Sequence, residues 1–442
     1  MKKEDVKPYL QDIINDLSTL VSYPSVYSDD VPPFGQENIN CLNAALKLAE
    51  GYGFKTVNLD NYCGYVEMGQ GEEIVGILAH LDVVPVSKDT WSTDPFKVTQ
   101  IGDRLYGRGT SDDKGAGVCA LTALRMLKDL EPTFKKRVRL IWGCNEESGS
   151  RGVEHYIEKL GYVDCGFTPD GEFPLVFGEK GMVFGRLHGK TQKILDIKGG
   201  TVSNAVAARC DVTVDPDNYD FEKLQHFFDE HNISFELQGN KLTVFGAAAH
   251  ASLPEQGKNA ISYALEGLYQ AGLDDEFVNL YHQLVALDYN GKNAGVGFED
   301  DYGKLTFNIG LVSKENDEIS CTIDIRFPVT MKHEQITEPL AAHGNGHIEI
   351  EEGIDPLFFP LDHPMIKALY KAYVDVTGDT EHKPLAIGGG TYAKDMHNIV
   401  AFGCDDGKFN YRIHDDDEFV TIDSLLMQTA CYYHAVLNLL EI

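Results

Sequence analysis

Apolar and polar positions follow different periods along this chain, and the changes of period divide it into three stretches. Asp12 to Ser22 and Asn38 to Tyr52 carry apolar residues near helical spacing, the second through Leu42, Ala45, Leu46 and Leu48, and predict amphipathic helices. Ile74-Val75-Gly76-Ile77-Leu78-Ala79 is a continuous apolar run, the pattern of a strand buried on both faces. Gly115 to Leu130 sets Val118, Leu121, Leu124, Met126 and Leu127 on one apolar face, and Pro132 then stops the helix. Val138 to Gly143 predicts the next strand. Strands alternating with helices predict an α/β sheet, whose ligands gather at the carboxyl ends of strands.

After about Met182 the texture changes. Gln192 to Lys198, Cys210 to Val214, Ser234 to Leu237 and Lys241 to Phe245 alternate as half-solvated strands do. Helices are expected at Asn259 to Ala271 and Asp275 to Leu287, and further strands at Leu305 to Val312 and Ile319 to Phe327. This is the pattern of an antiparallel sheet with helices on one face. Near Pro364 the buried helical style returns, through Ile366 to Val376 and Ser424 to Leu440. Two consecutive domains would give such a pattern, and so would an insertion. The insertion is preferred because His414 belongs chemically with the first stretch. The expected division is 1–183 and 359–442 for one catalytic domain, with 184–358 inserted into it.

The length of 442 residues suits two domains, and 43% hydrophobic residues suffices for two cores. The net charge of −31 argues against nucleic acid or an anionic membrane as partner. No apolar run approaches the ~20 residues that span a bilayer, and the start, Met1-Lys2-Lys3-Glu4-Asp5-Val6, lacks the apolar core of a signal peptide. Nine scattered cysteines without a Cys-x-x-Cys pair are expected as free thiols in the cytoplasm.

Candidate chemistry sits where apolar runs end. His80 and Asp82 follow one predicted strand, and Glu146 and Glu147 follow another. Asp112-Asp113 lies in a glycine-containing loop before a helix, and Asp170 lies between Pro169 and Gly171. Singly, each has an ordinary reading: a structural histidine, a solvated acidic pair, a turn aspartate. Together, in order and on one rim, imidazole nitrogens and carboxylate oxygens suit two divalent cations over a reactive water. Of two adjacent glutamates, one can ligate while the other acts as general base.

The chain resembles the di-zinc metallopeptidase superfamily that includes carboxypeptidase G, aminoacylase, succinyl-diaminopimelate desuccinylase and carnosinase. The resemblance rests on Leu78-Ala79-His80-Leu81-Asp82-Val83-Val84-Pro85, on Gly107-Arg108-Gly109-Thr110-Ser111-Asp112-Asp113-Lys114-Gly115 and on Asn145-Glu146-Glu147-Ser148. Gly388-Gly389-Gly390-Thr391-Tyr392-Ala393 and the long inserted region make it most similar to the bacterial peptidase-V type dipeptidases. The implied fold is an α/β, mixed-sheet di-metal hydrolase domain with an inserted α+β lid.

The resemblance implies two cations, zinc first and manganese second, one held by His80, Asp112 and Asp170 and the other by Asp112, Glu147 and His414. It implies Glu146 as general base, Asp82 as the partner of His80, and a cis peptide between Asp112 and Asp113. His250, in Gly246-Ala247-Ala248-Ala249-His250, would stabilise the oxyanion, and Arg326 would grip the substrate carboxylate. Asn204 and the backbone of Gly389 and Gly390 would also touch substrate. Two departures stand out: Ala247 replaces a lysine frequent in relatives, and His414 precedes the acidic run Asp415-Asp416-Asp417-Glu418. That run either raises basicity at the metal end or adds surface charge.

The implied function is a metal-dependent dipeptidase acting on short peptides with a metal-activated water. A deacylase acting on N-acyl or N-succinyl amino acids would use the same metals and base. A metal-binding protein without catalysis would be expected to lack Glu146 or a ligand, and none is missing. The insertion is long enough for two lid units, and in relatives with such a lid the second unit takes a partner subunit's place, so the resemblance implies a catalytically complete monomer.

Overall fold

The computed structural model describes residues 1–87, 89–130 and 134–442, so Pro132 lies outside the described residues. The apolar run before His80 forms the strand Ile74–His80, buried at every position. It lies between Arg137–Gly143 and Cys165–Thr168 and is parallel to both. A segment covered on both faces has no solvent side, so it carries no polar alternation. The order across the sheet is Lys55–Leu59, Cys63–Gly69, Arg137–Gly143, Ile74–His80, Cys165–Thr168, Ile399–Ala401 and Val176–Glu179. Its first two strands form an antiparallel hairpin, and Ile399–Ala401 runs parallel to Cys165–Thr168, so the sheet is mixed.

Register decides where the chemistry goes. His80 pairs opposite Gly143, so these two strands end level. The parallel strand Cys165–Thr168 ends at the same side of the sheet, two residues before Asp170. Helices Lys114–Leu130 and Ile422–Leu440 pack on each other and on the central strand, and Pro364–Thr377 packs on the latter helix. Phe167 meets the ring of Phe402 edge-on at 5.4 Å, and Tyr432 closes the cluster at 5.4 Å from Phe167 and 6.2 Å from Phe402. Such pairs add about 0.5–1.5 kcal/mol each beyond burial. Met1–Gly178, Phe359–Leu385 and Gly390–Ile442 make up this compact unit.

The second unit comprises Glu179–Phe358 and Ala386–Gly389. Its sheet runs Ser234–Gln238, Lys241–Phe245, Arg209–Val214, Ile194–Gly199, Thr306–Glu315, Glu318–Phe327, Gly181–Lys190 and Ile348–Ile354. Every neighbouring pair in it is antiparallel. Helices Phe221–His231, Ala260–Gln270, Glu276–Leu284 and Glu334–Gly344 bury their apolar residues in one core with this sheet. Asn259 caps the second of these helices through Ile261 and Ser262 N–H and donates to Ile309 O, tying helix to sheet. A cap of this kind contributes about 1 kcal/mol.

The helix expected to reach Leu287 stops at Leu284, because Ala286 takes a left-handed φ of 52°. The Asp112–Asp113 peptide is cis. All nine cysteines are free, and Cys165 alone is not fully buried. Among the described residues, no helix is long and apolar enough to cross a membrane.

Candidate metal centre

Level strand ends carrying His80, Glu147 and Asp170, and loops carrying Asp112 and His414, bring five candidate donors together in the first unit. His80, the last residue of its strand, is wholly buried. Its Nε2 lies 2.9 Å from Asp112 Oδ1 and 3.9 Å from Asp170 Oδ2. Asp112 Oδ2 faces the other way and lies 3.0 Å from His414 Nε2, which is also 3.0 Å from Glu147 Oε1. The result is two triads, His80–Asp112–Asp170 and Asp112–Glu147–His414, sharing Asp112 through different oxygens. Glu146 belongs to neither.

Asp82 braces the rim in two ways. Its backbone carbonyl accepts from His80 Nδ1 at 3.0 Å, while its carboxylate lies farther from that nitrogen, at 3.6 Å. Both carboxylate oxygens are taken by the N–H groups of Glu146 and Glu147, each at 3.0 Å. The expected partnership of Asp82 with His80 therefore runs through the main chain, and the side chain fixes the glutamate pair. With Nδ1 donating, Nε2 is the His80 nitrogen available to a cation.

The Asp112 loop is held by Glu418, a member of the acidic run after His414. Glu418 is buried, at 1% exposure. It accepts from the N–H groups of Gly109, Ser111 and Asp112 at 3.1, 2.9 and 3.2 Å and pairs with Arg108 at 2.8 Å. It thereby ties the loop after His414 to the residue common to both triads. Asp417 is half-buried and accepts from Ser92 N–H and hydroxyl, whereas Asp415 is exposed.

Charge balance tests whether cations fit. Burial, then the charge of Asp170, Glu147 and Asp112, pushes the Glu146 carboxyl up to about 9, with His80 opposing. Burial and Asp112 push Asp170 up to about 7. Hydrogen bonds to Asp112 and Glu147 raise His414 to about 10. Burial opposes protonation of His80, but its bond to Asp112 and the nearby Asp82 carboxylate hold it well above its ordinary value. The protein alone gathers protons to offset crowded carboxylates, and divalent cations supply that charge instead. Ligand bonds of about 2.0–2.2 Å place neighbouring donors roughly 3–4 Å apart, as these are. The donor set fits two cations.

A third cluster, His333, Glu334 and Asp355, lies in the second unit. There Lys332 already pairs with Asp355 at 2.8 Å and His333 bonds it at 3.0 Å, so it reads as a loop brace.

The remaining expected residues lie in or at the edge of the second unit. His250 is exposed, on a segment joined to its neighbours by the bridges Ala205–His250 and Ala247–Lys258. Those backbone contacts anchor the segment where Ala247 offers no side chain to do so. Asn204 is exposed, and its carbonyl accepts the Ala251 N–H at 3.0 Å. Arg326 is gripped by the fully buried Asp324, with Nε–Oδ1 at 2.6 Å and Nη2–Oδ2 at 2.9 Å. Its Nη1 faces Gly388 O at 3.4 Å. Positions 324 and 326 share one face of a strand, so this clamp has a sequence signal in its spacing of two. Gly389 belongs to the second unit and the exposed Gly390 to the first.

Comparison with known proteins adds an independent finding. The model of peptidase family M20/M25/M40 matches residues 76–438. "Putative dipeptidase YtjP" of Bacillus subtilis is 33% identical, over 97% of each chain. "Putative dipeptidase SH1171" of Staphylococcus haemolyticus is 32% identical, over 99% of each. Among solved structures, human carnosine dipeptidase 1 is similar in fold, with a TM-score of 0.61 at 16% identity, covering 100% of this chain and 98% of that one.

Proposed function

The chain belongs to peptidase family M20/M25/M40, and from that membership we propose that it is a metal-dependent dipeptidase hydrolysing short peptides. The observation that carries this reading is the pair of triads sharing Asp112, with Glu146 beside them and outside both. Two divalent cations, when bound, lower the pKa of a water toward ~7 and polarise the peptide carbonyl. His80, Asp112 and Asp170 would hold one, and Asp112, Glu147 and His414 the other. Imidazole and carboxylate donors favour zinc, with manganese second.

Glu146, oriented through its N–H by Asp82, takes a proton from the attacking water. The same carboxyl then passes that proton to the leaving amine as the C–N bond breaks. The water oxygen becomes the second oxygen of the new carboxylate. From the second unit, proposed as the lid, His250 stabilises the oxyanion and Arg326 binds the free carboxylate of the peptide. Asn204, Gly389 and Gly390 contribute lesser substrate contacts. The chain is proposed to work as a monomer in the cytoplasm, on small peptides and without nucleic acid or membrane as partner, in keeping with its net charge of −31.

The test is a hydrolysis screen of the metal-loaded protein on free dipeptides, N-acetylated dipeptides, tripeptides and N-succinyl amino acids. Preference for free dipeptides supports the proposal. Preference for acylated or succinylated substrates makes the protein a deacylase instead.

A further inference from the structure

The turn that carries His250 constrains the ring's chemistry as well as its position. The backbone N–H of Ser252 donates to His250 Nδ1 at 3.2 Å, and Ser252 Oγ lies 2.7 Å from the same nitrogen. A backbone amide can only donate, so the nitrogen it points at carries no proton. A neutral imidazole with a bare Nδ1 has its single proton on Nε2. The Ser252 hydroxyl can rotate and so becomes a second donor to Nδ1.

We infer that Ser252 is a positioning residue that locks His250 in the Nε2–H tautomer, so that the ring presents a hydrogen-bond donor at its outer end. This rests on the oxyanion role proposed for His250. A developing oxyanion needs a donor, and the opposite tautomer would point a lone pair at it. The same lock excludes His250 as a general base or metal ligand through Nε2, since that nitrogen is already protonated.

Three features support the lock. The turn is closed by Leu253 N–H to His250 O at 2.9 Å and by Ala251 N–H to Asn204 O at 3.0 Å, which hold Ser252 under the ring. Gly388 leaves room for it: a Cβ at position 388 would collide with Ser252 Cβ and stand 2.9 Å from its Oγ. The glycine run thus has a steric reason for its first member beyond any contact with substrate. Burial, and then the positive charge of Arg326, also lower the His250 pKa, which keeps the ring in the neutral form where tautomers matter.

The test is nitrogen NMR on the full chain labelled with 15N-histidine, with His250 assigned by its loss in His250→Gln. The wild-type ring should show a bare Nδ1 and a protonated Nε2; a protonated Nδ1 would overturn the inference without any variant. Ser252→Ala keeps the backbone donor and removes the hydroxyl. With the shorter, 2.7 Å bond gone and only the 3.2 Å backbone bond left, the His250 signals should shift part of the way toward mixed tautomers and kcat should fall roughly three- to tenfold, the scale of one neutral hydrogen bond, with KM for a dipeptide little changed. Unshifted signals, or an unchanged kcat, would remove Ser252 from the positioning role. If His250→Ala retains full kcat, the oxyanion assignment fails instead, a result separable from the tautomer reading.

Discussion

Glu418 Oε1 accepts the backbone N–H of Asp112 at 3.2 Å, joining the chain's last long loop to the carboxylate that both triads share. The same side chain neutralises Arg108, itself only 3% exposed. Removing one partner of a buried ion pair leaves the other charge unpaired, at a cost of about 3–5 kcal/mol. Glu418→Ala should therefore destabilise the fold by that order and release both metals more readily. Denaturant unfolding and competition with a chelator check it. Wild-type behaviour in both would show that the Asp112 loop stands without this anchor.

The two histidines proposed as ligands should respond unequally. His80 is wholly buried, whereas the His414 side chain is 54% exposed. His80→Ala should cost both metal affinity and stability, while His414→Ala should weaken metal binding and leave the stability of the metal-free protein nearly unchanged. Melting curves before and after metal removal distinguish the two.

Arg326 should govern recognition of a free carboxylate. Hydrogen bonds to a charged group contribute about 1.5–3 kcal/mol, so Arg326→Met should raise KM for a dipeptide by roughly 10- to 150-fold. The KM for the corresponding dipeptide amide should change little. Equal effects on acid and amide would take the guanidinium away from the substrate carboxylate.

If one chain supplies both Glu146 and His250 to its own reaction, mixing inactive Glu146→Gln with inactive His250→Ala should restore no activity. Substantial recovery would show histidine sharing between chains and overturn the monomer reading.

Legibility in the sequence followed the physics of each feature. Ile74–His80 could be read because a strand covered on both faces is apolar throughout. The clustering of His80, Glu146 and Glu147 on one rim could be read because they follow strand ends, where an α/β sheet collects ligands, whereas the two ligand sets themselves came from the family resemblance. Gly181–Lys190 was not legible as a strand, since glycines at 181, 185 and 189 occupy its buried face and erase the apolar alternation. The anchoring of Asp112 by Glu418 and of Glu146 and Glu147 by Asp82 was hidden for another reason. These carboxylates bind backbone N–H groups, which every residue but proline offers, so the contact leaves no partner residue to find.

The division of labour between Glu146 and the triads is tested most directly by measuring metal content and turnover on the same preparations of Glu146→Gln and Asp112→Ala. Glu146→Gln should retain close to two divalent ions per chain while kcat falls by a factor of at least ~100, as expected for loss of a positioned general base. Asp112→Ala should lose metal from both positions. Equal metal loss in the two variants, or near-normal turnover in Glu146→Gln, would contradict the assignment of Glu146 as a base standing outside the metal triads.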